Sequence, residues 1–284
     1  MPFIAWLIIF AYIPLVGWVI AFQDYKPQNG FFGSPWVGLK HFINLFNERL
    51  FYRALRNTLG MSFMGIVAGF TFPLVFALLL NELRILAFKR VTQTISYLPH
   101  FVSWVIVAGI VTNILSVTGP INEILVRLGF INQPYDFLIQ PRLFWWIIVI
   151  ADVWKETGWG AIIYLAAITG IDAQIYEAAE LDGASRLQKI FYVTIPSIRG
   201  TIIILLILSI GNLLSTGFER QMLLGNTLVT EKSLVLDLFS LNYGIGLMRY
   251  SFGTAIGIFK SVVSLTLVLF ANWLARRAGE SHLI

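Results

Sequence analysis

Residues 171–199 read IDAQIYEAAELDGASRLQKIFYVTIPSIR, a polar stretch set between two long apolar runs. Its pattern predicts two short helices around a turn. Asp172 is placed to cap a helix running through Tyr176, Glu177, Ala178, Ala179, Glu180, Leu181 and Asp182, because a side-chain oxygen there can take up an amide hydrogen that no carbonyl reaches. Gly183 supplies the left-handed residue that ends the helix. Ser185 to Gln188 has the S-x-x-Q form of a capping box for the next helix, and Pro196 stands near the start of the following apolar run, where a missing N–H costs little. Ala178, Ala179 and Ala184 give the turn a slim profile suited to a groove on another protein. Glu177, Glu180 and Asp182 make its tip acidic, so a basic surface is the natural complement. A well-capped loop with solvated charges fits the same residues, and the physics of the segment alone leaves both readings open.

The surroundings of this stretch set its context. The chain of 284 residues is 57% hydrophobic and only 12% charged, against about 25% charged in an average soluble domain, and its mean hydropathy is +0.78. This excludes a disordered chain and argues against a soluble globule. About 20 apolar residues cross a ~30 Å hydrocarbon core, and six runs qualify: 3–22, 58–80, 96–116, 143–168, 199–217 and 253–274. Amides in lipid must be satisfied within their own segment, and the runs lack the alternation of a barrel strand, so they are helices. The expectation is an all-α membrane protein, one domain over 1–284, with six transmembrane helices and a protruding connection at 171–198. Gly65-x-x-x-Gly69 and Gly253-x-x-x-Gly257 offer places for close helix approach.

Six crossings put both termini on one side. The segments on that side carry Arg84, Lys89, Arg90, Arg186, Lys189, Arg276 and Arg277, with Arg199 at the edge of the fifth run. They are denser in basic residues than the opposite segments, which predicts cytoplasmic termini. Apolar sequence begins directly after Met1 and Pro2, with no basic leader and no signal-peptide cleavage site. This predicts a short basic cytoplasmic tail preceding the sequence given.

Composition also removes several function classes. There is no Cys, and His41, His100 and His282 are scattered, so neither thiol chemistry nor a metal site is expected. The net charge of +5 sits mostly between apolar runs, where it serves orientation in a membrane rather than nucleic-acid binding. No H-E-x-x-H or G-x-S-x-G pattern points to an intramembrane enzyme. No phosphate-binding loop occurs, nor any Gly-Lys dipeptide, so ATP is not bound here by that device.

Polar groups at membrane depth mark a pathway by default. In the fourth run, Asp152 shares a helix face with Lys155 and with Glu156. Two readings stay open: hydrogen bonding to a hydroxyl-rich cargo, with Trp154, Trp159 and Tyr164 as stacking faces, or a structural ion pair. Asn113, Asn212, Ser215 and Lys260 are further candidates, and Lys260 offers either a cation for an anionic cargo or a neutralising partner for Asp152 or Glu156. Asp152 and Glu156 also keep an alternative alive, an ion-coupled secondary transporter of sugars.

The run Glu177-Ala178-Ala179-x-x-x-Gly183, followed by Val193-x-Ile195-Pro196, resembles the EAA motif of the membrane subunits of bacterial ABC importers. Ile195 stands where that family often has Leu, a conservative departure. The likeness extends through Phe22-Gln23-Asp24-Tyr25, Gly33-x-Pro35-Trp36-Val37-Gly38-Leu39 with Phe42, Asn57-Thr58, Tyr97-Leu98-Pro99, Asp182-Gly183-Ala184, Ala255-Ile256-Gly257 with Phe259-Lys260-Ser261, and Ala271-Asn272. It is similar to carbohydrate-uptake permeases, within them the branch importing polysaccharide-derived oligosaccharides, including alginate. The resemblance implies the type I importer fold in a bacterial cytoplasmic (inner) membrane. It implies a second, usually non-identical permease, two ATPase subunits holding ATP and Mg, and an extracytoplasmic solute-binding protein that delivers the sugar. This chain would itself be non-catalytic and hold no cofactor. Carried over residue by residue, Glu177, Ala178, Ala179, Asp182, Gly183 and Ala184 would form the coupling helix in the cleft of one ATPase subunit.

Overall fold

A computed structural model describes residues 2–281, so Met1 and the predicted features at His282 lie outside the described residues. Among the described residues the chain is helical throughout, with a single isolated strand-like bridge between Gln23 and Trp36. In chain order the principal helices are α1 (Pro2–Phe22), α2 (Lys40–Asn47), α3 (Arg49–Glu82), α4 (Leu86–Tyr97), α5 (Trp104–Leu115), α6 (Pro120–Arg127) and α7 (Pro141–Thr169). They continue with α8 (Ala173–Leu181), α9 (Arg186–Ser197), α10 (Arg199–Gly211), α11 (Glu219–Leu224), α12 (Leu236–Ser240) and α13 (Tyr250–Arg277). α1, α3, α5 continued by α6, and α13 are long and apolar enough to cross a bilayer. The pairs α7–α8, bent by 72°, and α9–α10, bent by 62°, bring the crossings to six when each is counted as one.

The helix ends depart from the sequence expectation at three places, each with a local cause. α3 starts at Arg49, not near 58, because Glu48 caps it: its carboxylate accepts from the Leu50 amide. The third crossing is broken at its start: α4 ends at Tyr97, Pro99 falls in a tight turn over Leu98–Phe101, and the helix resumes only at Trp104. The fifth is shorter than expected. α10 stops at Gly211, and Asn212, Ser215, Thr216 and Gly217 carry the chain on in an irregular path with Gly217 at φ 74°. Ser62 Oγ on α3 donates to the Leu213 carbonyl at 2.5 Å, so the unwound backbone is held from a neighbouring helix.

α3 and α7 pack along their length and form the spine. One end of it buries Leu45, Phe51, Ala54, Leu236, Phe239, Phe252 and Ile256, and the other Ala77, Leu80, Ala161, Tyr164, Ile168 and Ile198. Segment 226–240 is clamped on top. Asn57 Nδ2 donates to the carbonyls of Glu231 and Leu234, Thr58 Oγ1 accepts from the Leu236 amide, and Trp145 Nε1 donates to the Lys232 carbonyl. Nearby, the ring N–H of buried His41 donates to the Gln23 carbonyl at 3.1 Å. α4 presses on α7 at Gly158, where a Cβ would stand 2.0 Å from the Ser96 carbonyl oxygen.

The two G-x-x-x-G patterns behave differently from expectation. Nothing lies within 4 Å of where a Cβ would stand on Gly65, Gly69 or Gly257; Gly253 alone of the four meets backbone closely, at Gly244. Gly65 and Gly69 instead border a cavity, so their missing side chains leave space rather than seat a helix.

Candidate functional site

The first candidate is the elbow formed by α8, α9 and the turn between them. Asp172 accepts from the Gln174 amide at 2.9 Å, and the capping box at Ser185 is complete, with Gln188 Oε1 accepting from the Ser185 amide at 2.7 Å. Gly183 has φ 77°, and the turn is locked by the Ala184 amide donating to the Ala179 carbonyl and the Gly183 amide to the Glu180 carbonyl. Such a reversal satisfies carbonyls that would otherwise be orphaned at the helix end. Lys189 Nζ meets Glu180 Oε1 at 2.5 Å across the two legs, and Tyr176 bonds Thr194 through their hydroxyls at 2.9 Å. The hydrogen bond and charge of Lys189 hold the Glu180 carboxyl below its ordinary range.

No residue of α8 is buried, Glu177, Ala178 and Asp182 are exposed, and Leu181 at the tip is 90% exposed. Ala179 and Ala184 are half-buried against each other at the turn. The elbow is an ordered, slim, acidic projection with an uncovered leucine at its tip.

The second candidate is a cavity of about 390 Å³ between α3, α7, α10 and α11, bordered by Ser62, Gly65, Gly69, Asp152, Glu156, Thr157, Trp159, Asn212, Thr216, Arg220 and Gln221 among others. A further cavity of about 500 Å³ adjoins it, and the two share Asp152, Glu156, Thr216 and Arg220. Asp152 lies about 17 Å along α7 from its start, at 1.5 Å per residue. Its carboxylate pairs with the Arg220 guanidinium, which also donates to the Thr216 carbonyl at 2.6 Å and lies 5.7 Å over the Trp104 ring. Glu156 sits between two other groups: Lys155 Nζ at 2.9 Å and His100 Nδ1 at 2.6 Å. Lys155 donates also to the His100 carbonyl at 2.7 Å, and the His100 ring stacks flat on Trp159 at 4.3 Å.

Of the polar and aromatic residues singled out from sequence, the structure brings Asp152, Glu156, Trp159, Asn212 and Ser215 to the cavity. Lys155 is buried beside it as the partner of Glu156. The expected pairing of Asp152 with Lys155 does not form, because Arg220 from another helix reaches Asp152 while Lys155 turns to Glu156 and His100. Trp154 is exposed on the outer face of α7, and Tyr164 is buried against Phe70 in the lower core. Asn113 is exposed near the end of α5. Lys260 pairs with Asp237 on α12, not with Asp152 or Glu156. Both carboxylates on which ion coupling would rest are thus engaged with cations.

Sequence reasoning missed Arg220, Thr157 and Gln221. Arg220 lies just beyond the fifth apolar run, and Gln221 stands next to the apolar stretch Met222-Leu223-Leu224, where one amide draws no notice. The available signal was Arg220 lying only a few residues after a span that ends in Asn212, Ser215 and Thr216.

Comparisons with known proteins follow the same outline. The chain is 44% identical over 281 residues, 99% of its length and 87% of the relative's, to the polygalacturonan/rhamnogalacturonan transport system permease protein YteP of Bacillus subtilis. It is 30% identical over 94% of its length, and 90% of the relative's, to the trehalose/maltose transport system permease protein MalF of Thermococcus litoralis. Among solved structures it matches a chain of a bacterial alginate ABC transporter, crystallised in complex with an alginate pentasaccharide-bound periplasmic protein. That match has a TM-score of 0.91 and 39% identity, covering 99% of this chain and 94% of that one. Residues 61–280 match the family of binding-protein-dependent transport system inner membrane components, and the chain belongs to that family as a multi-pass membrane permease.

Proposed function

We propose that this chain is one of two permeases lining the pathway of an ATP-driven oligosaccharide importer. An extracytoplasmic solute-binding protein delivers the cargo, and partner ATPase subunits hold ATP and Mg and do the hydrolysis. The observation that carries the reading is the elbow: a capped helix–turn–helix whose outer face none of the described residues covers. Glu177, Ala178, Ala179, Asp182, Gly183 and Ala184 enter the ATPase cleft, and closure of the ATPase pair drives the elbow as a rigid lever on α7 and α10. The relatives named above carry polysaccharide fragments or disaccharides, which supports an oligosaccharide cargo. Asp152 and Asn212 are the pathway residues retained from the sequence reading.

The elbow side is the cytoplasmic side, and the termini share it. Glu180 feels the charge of Arg84, and Arg199 pairs with Glu280, so the ends of α3 and α13 and the start of α10 lie together with the elbow. Their Arg and Lys residues fit the positive-inside bias.

The test is Gly183→Val in the reconstituted importer. A β-branched residue resists φ 77°, so uptake and the ATPase stimulation by loaded binding protein should fall to background while the permease still inserts. Wild-type uptake in that variant would count against the coupling role. Uptake by the wild type should persist when the proton gradient is collapsed with ATP maintained; its loss would favour ion coupling instead.

A further inference from the structure

We propose that α2 is an interfacial anchor whose apolar strip, Leu39, Ile43 and Phe46, lies in the boundary between acyl chains and headgroups of the leaflet opposite the elbow. The elbow stands at the Glu82 end of α3, where Glu180 feels Arg84, and α2 stands at its Arg49 end. Residues 39–47 divide into three strips around the helix axis, at about 100° per residue. Leu45 and His41 turn inward: Leu45 is fully buried in the core beside Phe51, and His41 is tied to the Gln23 carbonyl. Lys40, Asn44 and Asn47, at i, i+4 and i+7, form an exposed polar strip. Leu39 at the N-cap, Ile43 and Phe46 repeat that spacing one residue earlier and are 61%, 59% and 46% exposed. A helix standing upright through a water–lipid boundary would change polarity from one end to the other. Here polarity changes around the axis and holds along the helix's ~12 Å. The boundary therefore runs parallel to the axis, with one strip on water, one on lipid and one on protein.

The occupant follows from where α2 sits. The crossing α1 ends at Phe22, and the chain returns to that end before α2 begins, with the Val37 and Gly38 amides both donating to the Phe22 carbonyl at 2.7 and 3.0 Å. Phe22 stacks on Trp36 at 5.7 Å and leans on Phe42 of α2 at 5.5 Å, so α2 departs from the level at which a bilayer crossing stops. Phe46 meets Phe51 of α3 and Phe259 of α13 edge-on at 5.7 and 5.8 Å, which fastens α2 to two more crossings. The apolar window of α1 has none of its residues buried inside the chain. Phe22 and the exposed Trp36 join that uncovered surface to the apolar strip of α2. Trp and other amphipathic rings collect at this depth, where an apolar body meets wet headgroups. Lys40, on the polar strip, can lay its stem along the apolar surface and hold its ammonium at the phosphates.

Cysteine placement tests the anchor directly, because the chain has no cysteine of its own. In the assembled importer in proteoliposomes, with partner subunits cleared of cysteine, Ile43→Cys and Asn44→Cys are each spin-labelled. Power saturation then compares collision with oxygen, which concentrates in hydrocarbon, and with a nickel chelate, which stays in water. Although adjacent in sequence, the two positions should show opposite preferences, oxygen at 43 and nickel at 44, with Leu39→Cys following 43 and Lys40→Cys following 44. Nickel reaching 43 as readily as 44 would put the strip in water. Shielding of 43 from both reagents would put it under the second permease, and shielding that arises only when binding protein is added would put it under that protein. Each of these overturns the proposal. If the labels disturb assembly, the bare thiols suffice. The reacting species is the thiolate, which apolar surroundings disfavour, so a charged, membrane-impermeant maleimide should modify position 43 about tenfold more slowly than position 44, while a lipid-soluble maleimide reaches both. Equal rates with the charged reagent, or resistance of position 43 to both reagents, overturn the proposal. Depth is read without transport, so it decides the anchor whether or not the import reading holds.

Discussion

The elbow and the central cavity are both polar features of an apolar chain, yet their residues are held in opposite ways. In the elbow the caps and the turn are closed by local bonds. Asp172 reaches Gln174, Ser185 reaches Gln188, and Ala184 reaches back to Ala179. In the cavity the decisive bonds are long-range: Asp152 pairs with Arg220, 68 residues away, and Glu156 with His100, 56 residues away. One region is built by short-range rules and projects outward. The other is built by meetings between helices, where water cannot stand in for a missing partner. Substitutions should therefore be mild in the elbow's stability but severe in its function, and costly in the cavity on both counts.

The sharpest contrast is in charge removal. Asp152→Asn leaves the Arg220 guanidinium at membrane depth without a counter-charge, and breaking one side of such a pair costs about 3–5 kcal/mol. The double variant with Arg220→Gln should recover most of that loss. Asp182→Asn at the exposed elbow should move stability by less than about 0.5 kcal/mol. Denaturant unfolding of the purified permease measures all three. Equal costs at 152 and 182 would dissolve the distinction between the regions.

Glycine gives the next comparison. At Gly158 a Cβ would stand 2.0 Å from the Ser96 carbonyl oxygen. Gly158→Ala must push α4 off α7, at a cost of about 1–3 kcal/mol, and should lower the thermal midpoint. At Gly183 there is open space but φ is 77°, so Gly183→Ala carries only a backbone penalty of roughly 1 kcal/mol. If the order is reversed, the tight seat of α4 on α7 is not what holds them together.

The same division decides how much could be read from the sequence. The number of crossings, the helical class and the elbow with its three caps were legible, because apolar length and capping spacing are properties of consecutive residues. The breaks were less so. Pro99 was visible, but the turn at Leu98–Phe101 depends on what packs around it, and the unwinding at Asn212 depends on Ser62 of α3 donating to the Leu213 carbonyl. In the cavity, Asp152 and Asn212 were found because polar residues inside apolar runs are conspicuous. Their partners were not: Lys155 was the near neighbour in sequence, whereas Arg220 was the near neighbour in space. Lys260 likewise pairs with Asp237, which lies outside the apolar runs and 23 residues away in sequence.

A capping residue tests the local side of the comparison more finely. Ser185→Ala removes half of the capping box, worth about 1 kcal/mol. Because the bond spans three residues, the effect should stay in α9: faster amide exchange at Leu187 and Gln188, with global unfolding unchanged. A shift of the whole unfolding transition would mean that the elbow is coupled to the core more strongly than its exposed surface implies.

The smallest effect is a response of the elbow to pH. Lys189 lowers the Glu180 carboxyl below its ordinary value of 4.5, first by a hydrogen bond and then by charge. A carboxyl depressed in the folded state contributes stability that is complete above its unfolded value and disappears as pH falls through the folded one. The elbow should therefore be insensitive between neutrality and about pH 5 and should loosen only below about 4.5. The group is solvent-exposed, so the effect is screened by salt. Amide exchange across residues 180–189, corrected for the intrinsic rate at each pH, should show protection falling in that acid window at low salt and less so at high salt. Lys189→Met should flatten most of the profile, since it removes the hydrogen bond and the larger charge and leaves only the weaker pull of Arg84 on the folded carboxyl. A profile unchanged by that substitution would show that the two legs are joined by the turn's backbone bonds alone, with the ion pair an ornament of the surface.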